Sequence, residues 1–291
     1  MSGAGTIAVA TLNVCCGLRN SLRPVKERAA EICAYLEQAD VDVLNLQEVW
    51  TPGLLGFLRG RLPSFPHVAC STGVFGRPMG GLVAFARVPV QSVAFRSFRG
   101  TRPDRGNPLF RASAAVTAGL QGVLTYELTG RRTILGNAHV SANRDGDWSA
   151  GNRHEALQRV QLRAVHETLR RARRSDTRLA LLVGDFNLPS TCGLYREAVD
   201  GGAWRDPFAA ADLPTFHAPL LPAGARAHRV DYVLVQGDPG RHPVTAADLL
   251  LTEPVRLPSG ATSYLSDHMA QLVRVAMPAA APDRPEATSD L

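Results

Sequence analysis

The sequence predicts an α/β layered sandwich, and three observations carry that expectation. Apolar β-type runs recur along nearly the whole chain and far outnumber helical periodicities. Three of them, VDVLNLQ, LALLVGD and RVDYVLV, are almost uninterrupted, the mark of strands covered on both faces. The few helical signals fall between such strands, where helices would cover sheets. With 291 residues and 45% hydrophobic content the chain can bury one large core. The same composition excludes a disordered, collagen-like or disulfide-scaffold protein.

Taken in order, strand-type runs cover 6–14, 41–47, 81–86, 90–95, 112–118, 121–128, 132–140, 179–184, 230–235, 245–251 and 268–276. A first helix is expected from Pro24, suited to a first helical turn, with Val25, Ala29, Ile32 and Leu36 at helical spacing. A second spans 152–173, where Leu157, Val160, Leu162, Ala164, Val165 and Leu169 form a broad apolar face. No internal repeat and no long linker divides the chain, so residues 1–277 are expected to be one domain. Residues 278–291, PAAAPDRPEATSDL, read as a disordered tail.

The net charge is +6, and residues 150–178 hold much of the excess, with eight arginines against Glu155, Glu167 and Asp176. The run RRARR ends the second predicted helix, where positive charge complements the helix macrodipole. A structural role is therefore expected for it ahead of an anion-binding one. Lys26 is the only lysine, so arginine bias runs through the whole chain. The five cysteines, Cys15, Cys16, Cys33, Cys70 and Cys192, are odd in number and form no CxxC, which points to free thiols. No uninterrupted apolar stretch of about 18 residues exists, so no transmembrane segment is expected. The start shows no signal-peptide pattern, and a cytoplasmic protein is expected.

The informative polar residues stand at strand ends. Asn13 closes the first strand, Gln47-Glu48 the second, His139 the seventh and Asp185-Phe186-Asn187 the eighth. Asp231 opens a later strand and Ser266-Asp267-His268 precedes the last. Each alone reads as a turn or a satisfied loop residue. Together they can converge on one rim of a sandwich. Glu48 and Asp267 supply hard oxygens of the kind Mg²⁺ prefers. Asn13 and Asn187 can hold a phosphoryl oxygen or a metal-bound water, and His139 and His268 can donate to phosphate or move a proton. Asp231 is suited to fix the tautomer of His268, as the acid does in a hydrolytic triad.

The segments LNVCCG (12–17), LQEVW (46–50), GNAHVSA (136–142), GDFNLPS (184–190), RVDYVLV (229–235) and LSDH (265–268) resemble, in order, those of the endonuclease/exonuclease/phosphatase superfamily of Mg²⁺-dependent phosphoesterases. LQEVW and GLVAFAR (81–87) are most similar to the neutral sphingomyelinase-like branch. The resemblance implies a four-layer sandwich with two central mixed or antiparallel β-sheets flanked by helices. It implies that Glu48 binds Mg²⁺, for which Mn²⁺ can substitute, and that Asn13 and Asp267 complete the metal and phosphate contacts. Asp185 would orient or deprotonate the attacking water, and Asn187 and His139 would hold the phosphate. His268, oriented by Asp231, would transfer a proton or stabilise pentavalent phosphorus. The implied reaction is hydrolysis of a small-molecule or lipid-head-group phosphoester by a monomer, with a nuclease as the alternative and an inactive binding protein as a remote one.

The long aromatic hairpin of the sphingomyelinase-like branch has no counterpart here. The Arg/Gly/Pro-rich stretch 97–111 therefore argues against an interfacial lipid substrate. Nucleic acid is not the favoured partner either, since basic and aromatic residues do not interleave. Selectivity is expected in loops 71–80, 97–111, 141–152 and 217–228.

Overall fold

A computed structural model describes residues 5–16, 22, 24–103 and 105–278. The proposed tail, from 279 onward, lies outside the described residues. In chain order the elements are β1 (Thr6–Asn13), α1 (Val25–Gln38), β2 (Val43–Gln47), α2 (Pro52–Arg61), β3 (His67–Ala69), β4 (Val83–Ala86), β5 (Val90–Ser97), α3 (Pro108–Leu120), β6 (Gly122–Leu128), β7 (Thr133–His139), α4 (Glu155–Ala172), β8 (Leu179–Asp185), α5 (Tyr195–Ala198), β9 (Asp231–Gly237), β10 (Val244–Leu250), β11 (Val255–Arg256), β12 (Thr262–Ser263) and β13 (Ala270–Ala276).

The strands build two large mixed sheets, ordered β10-β13-β1-β2-β4-β3 and β5-β6-β7-β8-β9, with β11 and β12 as a separate small hairpin. Only β1–β2 and β7–β8 pair in parallel. Each central strand sends alternate residues to opposite faces, as the two-residue period of a strand requires. In β1, Ala8, Ala10 and Leu12 pack toward Ile32, Cys33 and Leu36 of α1 and Leu55 and Leu58 of α2. Ile7 and Val9 point the other way, into a second cluster shared with Leu124, Leu135, Leu181 and Val233 of the other sheet. Ala180, Leu182 and Leu234 then face a third cluster with Leu162, Val165 and Leu169 of α4. Three apolar layers thus separate four layers of structure, helix–sheet–sheet–helix. The continuous burial expected of β2 and β8 is observed at every residue.

One prediction fails. Residues 112–118 are not a strand but the body of α3. Asn107 caps this helix, its side chain accepting from the Phe110 amide at 2.8 Å, and Pro108 occupies the first turn. α2 begins in the same way, with Thr51 accepting from the Leu54 amide at 3.1 Å ahead of Pro52. At α1, Pro24 stands one position earlier than expected, as the cap itself.

A polar clasp crosses the apolar layer between the sheets. Gln47 Nε2 of β2 donates to Asn137 Oδ1 of β7 at 2.7 Å, and Tyr126 Oη of β6 donates to Asn45 Oδ1 of β2 at 2.7 Å. Asn137 Nδ2 donates to the Leu46 and Val83 carbonyls. Pairing most of these buried polar atoms, with Gln47 Oε1 excepted, lets the clasp fix the register of one sheet on the other. It lies one residue before Glu48 and two before His139.

The arginine run is largely absorbed by local pairing. Arg159 meets Glu155 and Glu197, Arg170 and Arg171 both meet Glu167, and Arg173 meets Gln236. All five cysteines are free thiols. Among the described residues no helix is long and apolar enough to cross a membrane.

Candidate active site

Strands β1, β2, β7 and β8 end on the same side, because β1–β2 and β7–β8 are parallel pairs whose last residues, Asn13 and Gln47, His139 and Asp185, are in register. β9 runs antiparallel to β8, so its first residue, Asp231, lies opposite Asp185. The sequence spacing of these groups is long, but the topology delivers all of them to one cavity of about 630 Å³. Asn13, Glu48, His139, Asp185, Asn187, Asp267 and His268 line it. Asp231, the eighth predicted site residue, lies just beneath, fully buried and bonded to His268.

Asp185 is the hub. Its Oδ1 accepts from the Asn187 amide at 2.8 Å, and its Oδ2 accepts from Asn13 Nδ2 at 3.0 Å. The same Oδ2 lies 3.6 Å from His139 Nε2 and 3.9 Å from His268 Nε2. Asn13 Nδ2 also reaches Glu48 Oε1 at 3.3 Å, so one carboxamide holds two carboxylates. Asp231 Oδ2 lies 2.8 Å from His268 Nδ1, which leaves Nε2 facing the cavity. Burial opposes the charged form of His268, but the carboxylates of Asp231, Asp185 and Asp267 outweigh it and hold the pKa well above the ordinary imidazole value.

The backbone is shaped to present these groups. Glu48 and Asn187 hold left-handed backbone angles, φ +65° and +51°, which non-glycine residues adopt at a cost and retain where the surroundings dictate it. Gly184, just before Asp185, has φ +133°, and a Cβ there would lie 1.9 Å from the Ala138 carbonyl oxygen, so only glycine lets β8 approach β7 this closely. Asn187 Nδ2 donates to the Val140 carbonyl at 2.9 Å, and Gln158 Nε2 of α4 donates to the Asn187 carbonyl at 3.0 Å. Ser266 Oγ donates to the Asn13 carbonyl at 2.6 Å and ties the Asp267 loop to β1.

Arg28 of α1 was not foreseen. It is fully buried, and its guanidinium donates to the carbonyls of Cys15 (2.8 Å), Leu22 (3.1 Å) and Leu265 (2.5 Å). It thereby clamps the two loops that carry Asn13 and Asp267. Trp50, Arg77, Phe110, Arg144, Arg153 and Phe216 also line the cavity and were not among the expected catalytic or metal residues. Trp50 follows Glu48 so closely that its place could have been read. Phe110 falls in the 97–111 stretch expected to set selectivity, but α3, which carries it, was not expected. Three of the four loops expected to set selectivity contribute: Arg77 from 71–80, Phe110 from 97–111, and Arg144 from 141–152.

Four carboxylates, Glu48, Asp185, Asp231 and Asp267, gather around this cavity; His268 is bonded to Asp231, and His139 lies 3.6 Å from Asp185. That imbalance suits a divalent cation, and the donor set is rich in the hard oxygens Mg²⁺ takes. Among the described residues, Asp185, Asp231 and His268 also bring ligand atoms within 4.8 Å of one another. That trio is already bonded internally through Asp231 and His268, and Glu48 and Asp267 are the other carboxylates lining the cavity. Cys15 lines the cavity too, but burial and then the Asp267 carboxylate push its thiol up, so it stays protonated and is a poor ligand or nucleophile.

A scan against family models matches residues 10–268 to the Endonuclease/Exonuclease/phosphatase family. The chain belongs to this family. Its members are metal-dependent phosphoester hydrolases, and the two-sheet sandwich is their fold. A search of curated proteins by sequence returned no match. Solved structures with the same fold include a humanized TDP2 of D. rerio, at 17% identity and TM-score 0.67, covering 93% of this chain and 98% of that one. Sphingomyelinase C from Streptomyces griseocarneus matches at 18% identity and TM-score 0.65, covering 94% and 99%. A Staphylococcus aureus beta toxin variant with bound magnesium ions matches at 13% and 0.67, covering 93% and 99%. Family members of unlike name superpose equally well, so the fold alone leaves the substrate open.

Proposed function

We propose that this protein is a Mg²⁺-dependent hydrolase of a small-molecule or lipid-head-group phosphoester. The observation that carries the reading is the Asp231–His268 pair, bonded at 2.8 Å, with His268 Nε2 3.9 Å from the Asp185 carboxylate in the cavity that Glu48 and Asp267 also line. Glu48 and Asp267, with Asn13 between Glu48 and Asp185, would hold Mg²⁺, and Mn²⁺ fits the same donors. The ion, when bound, neutralises charge developing on the phosphoryl group.

The chain's own residues do the rest. Asp185 is fixed by the Asn187 amide and by Asn13, so its Oδ2 is held to orient a water and accept its proton. Asn187 has one N–H on Val140 and a second for a phosphoryl oxygen. His139, on the other side of Asp185, offers Nε2 to the same group. His268, kept protonated by its carboxylate neighbours and held in one tautomer by Asp231, donates to the phosphoryl oxygens as negative charge builds. The ester is favoured over nucleic acid because most of the arginines on α4 are engaged in pairs with neighbouring side chains and do not form an open basic track.

The test is a hydrolysis panel of bis(p-nitrophenyl) phosphate, p-nitrophenyl phosphate, sphingomyelin and supercoiled plasmid, each with Mg²⁺ and with EDTA. Metal-dependent turnover of one of the three non-nucleic esters is expected. Efficient plasmid nicking with negligible turnover of the others would make the protein a nuclease. No turnover of any would favour an inactive binding protein.

A further inference from the structure

The mouth of the cavity carries an apolar surface that the catalytic reading does not use. Among the described residues the four most exposed large hydrophobic side chains are Phe75 (93%), Leu109 (81%), Val74 (75%) and Val116 (66%). All four belong to two segments that line the cavity, the 71–81 loop through Arg77 and α3 through Phe110, Ala114 and Thr117. Both segments pack on β5, the edge strand of its sheet: Gly80 lies against Phe95, and α3 also contacts β5. They therefore form neighbouring parts of one rim.

α3 is unusual for a surface helix. Only Ala118 is fully buried. Phe110, Ala114 and Thr117 form one stripe facing the cavity. Leu109, Ala112 and Val116 form a second stripe, at three- and four-residue spacing, facing solvent. A helix whose apolar side turns away from the core is the kind that lies in a membrane interface, and exposed apolar patches of this sort mark interaction sites. The charge around it selects the partner. Residues 71–120 contain seven arginines and one acid, Asp104. Arg77, Arg99, Arg102, Arg105 and Arg111 are exposed on this rim. A nucleic-acid platform would stack bases on aromatic rings, whereas three of the four exposed side chains are aliphatic.

We propose that the 71–81 loop and α3 dock the cavity mouth onto an anionic lipid bilayer, with Leu109, Val116, Val74 and Phe75 entering the interface and the surrounding arginines meeting lipid phosphates. Such docking runs against the expectation, drawn from the Arg/Gly/Pro-rich stretch 97–111 and the missing aromatic hairpin, that an interfacial substrate is disfavoured; exposed Leu109 and Val116 on α3 supply apolar surface in place of the hairpin. The docking surface deepens the phosphoesterase reading by placing the substrate at an interface, but it is measurable without catalysis.

The test is flotation of the full chain with vesicles of phosphatidylcholine alone and of phosphatidylcholine with phosphatidylglycerol, at about 0.15 M salt, where long-range attraction is screened beyond roughly 8 Å. Binding to the anionic vesicles at least tenfold above the neutral ones is expected. Leu109→Glu with Val116→Glu, both compatible with a helix and the first at its anion-tolerant start, should lower it at least tenfold. Phe75→Asn, which accepts the left-handed backbone there, should lower it as well. Arg99→Gln with Arg102→Gln leaves the helix untouched and should reduce anionic binding to the neutral level. Hydrolysis of soluble bis(p-nitrophenyl) phosphate should be unchanged in these variants. Native-like vesicle binding by the variants, equal binding to neutral vesicles, or stronger capture by single-stranded DNA through the same residues would each overturn the proposal. Vesicle binding without ester hydrolysis would sink the catalytic reading and leave the docking surface standing; ester hydrolysis without vesicle binding would do the reverse.

Discussion

At the scale of single residues, the site depends on Asp185, whose two oxygens are held by an amide and a carboxamide and flanked by two imidazoles. Asp185→Asn replaces the oxygen proposed to accept a proton with a near-isostere, and His268→Ala removes the imidazole that Asp231 holds and that is proposed to donate to phosphate. Each should lower turnover at least about a hundredfold, the scale of general acid–base catalysis, while thermal unfolding changes little for the isosteric change. Near-native turnover on the best ester by either variant would refute the assigned roles. Glu48→Gln should act differently, since it removes one anionic oxygen without touching the Asp231–His268 pair. In a Mg²⁺ titration its half-saturating concentration should rise severalfold with the maximal rate less affected; an unchanged midpoint would make Glu48 a structural residue.

At the scale of elements, the long strands were legible, whereas three of the five described α-helices (α2, α3 and α5) and the short strands β3, β11 and β12 were not. A strand buried on both faces leaves an apolar run, and a polar residue at its end is conspicuous by contrast, so all eight candidate site residues could be read from strand ends. α3 was missed because Ala, Val and Leu without charges carry no helical period when neither face is the usual core face. Its start, Asn107-Pro108, and that of α2, Thr51-Pro52, carry the cap-and-proline signature that was available in the sequence. Arg28 was illegible for another reason: an arginine on a helix reads as surface charge, and only the fold reveals carbonyls from two distant loops around it. Arg28→Met should leave the carbonyls of Cys15, Leu22 and Leu265 unpaired and, at roughly 1–3 kcal/mol for each unsatisfied group, cost at least about 3 kcal/mol of stability. Denaturant unfolding measures it. An unchanged midpoint would show that water replaces the guanidinium at no cost.

At the scale of the whole molecule, two sheets tied by the Gln47–Asn137 and Asn45–Tyr126 bonds set Glu48 and His139 across one cavity, so the sandwich itself is the scaffold of the site. β13 lies inside the first sheet, between β10 and β1, and pairs with β1 up to Ala276 opposite Thr6. A chain ending at Met277 should therefore keep both melting temperature and activity; a marked drop in either would show that residues 278–291 pack on the domain. The central claim is that this cavity hydrolyses phosphoesters with a divalent cation held by carboxylates, and chelation tests it most directly. The initial rate of bis(p-nitrophenyl) phosphate hydrolysis by the native chain is measured with Mg²⁺, with excess EDTA, and after Mg²⁺ is restored. The reading predicts turnover that EDTA abolishes and that Mg²⁺ returns. Turnover that persists in EDTA, or that returns with zinc but not with Mg²⁺, would contradict it.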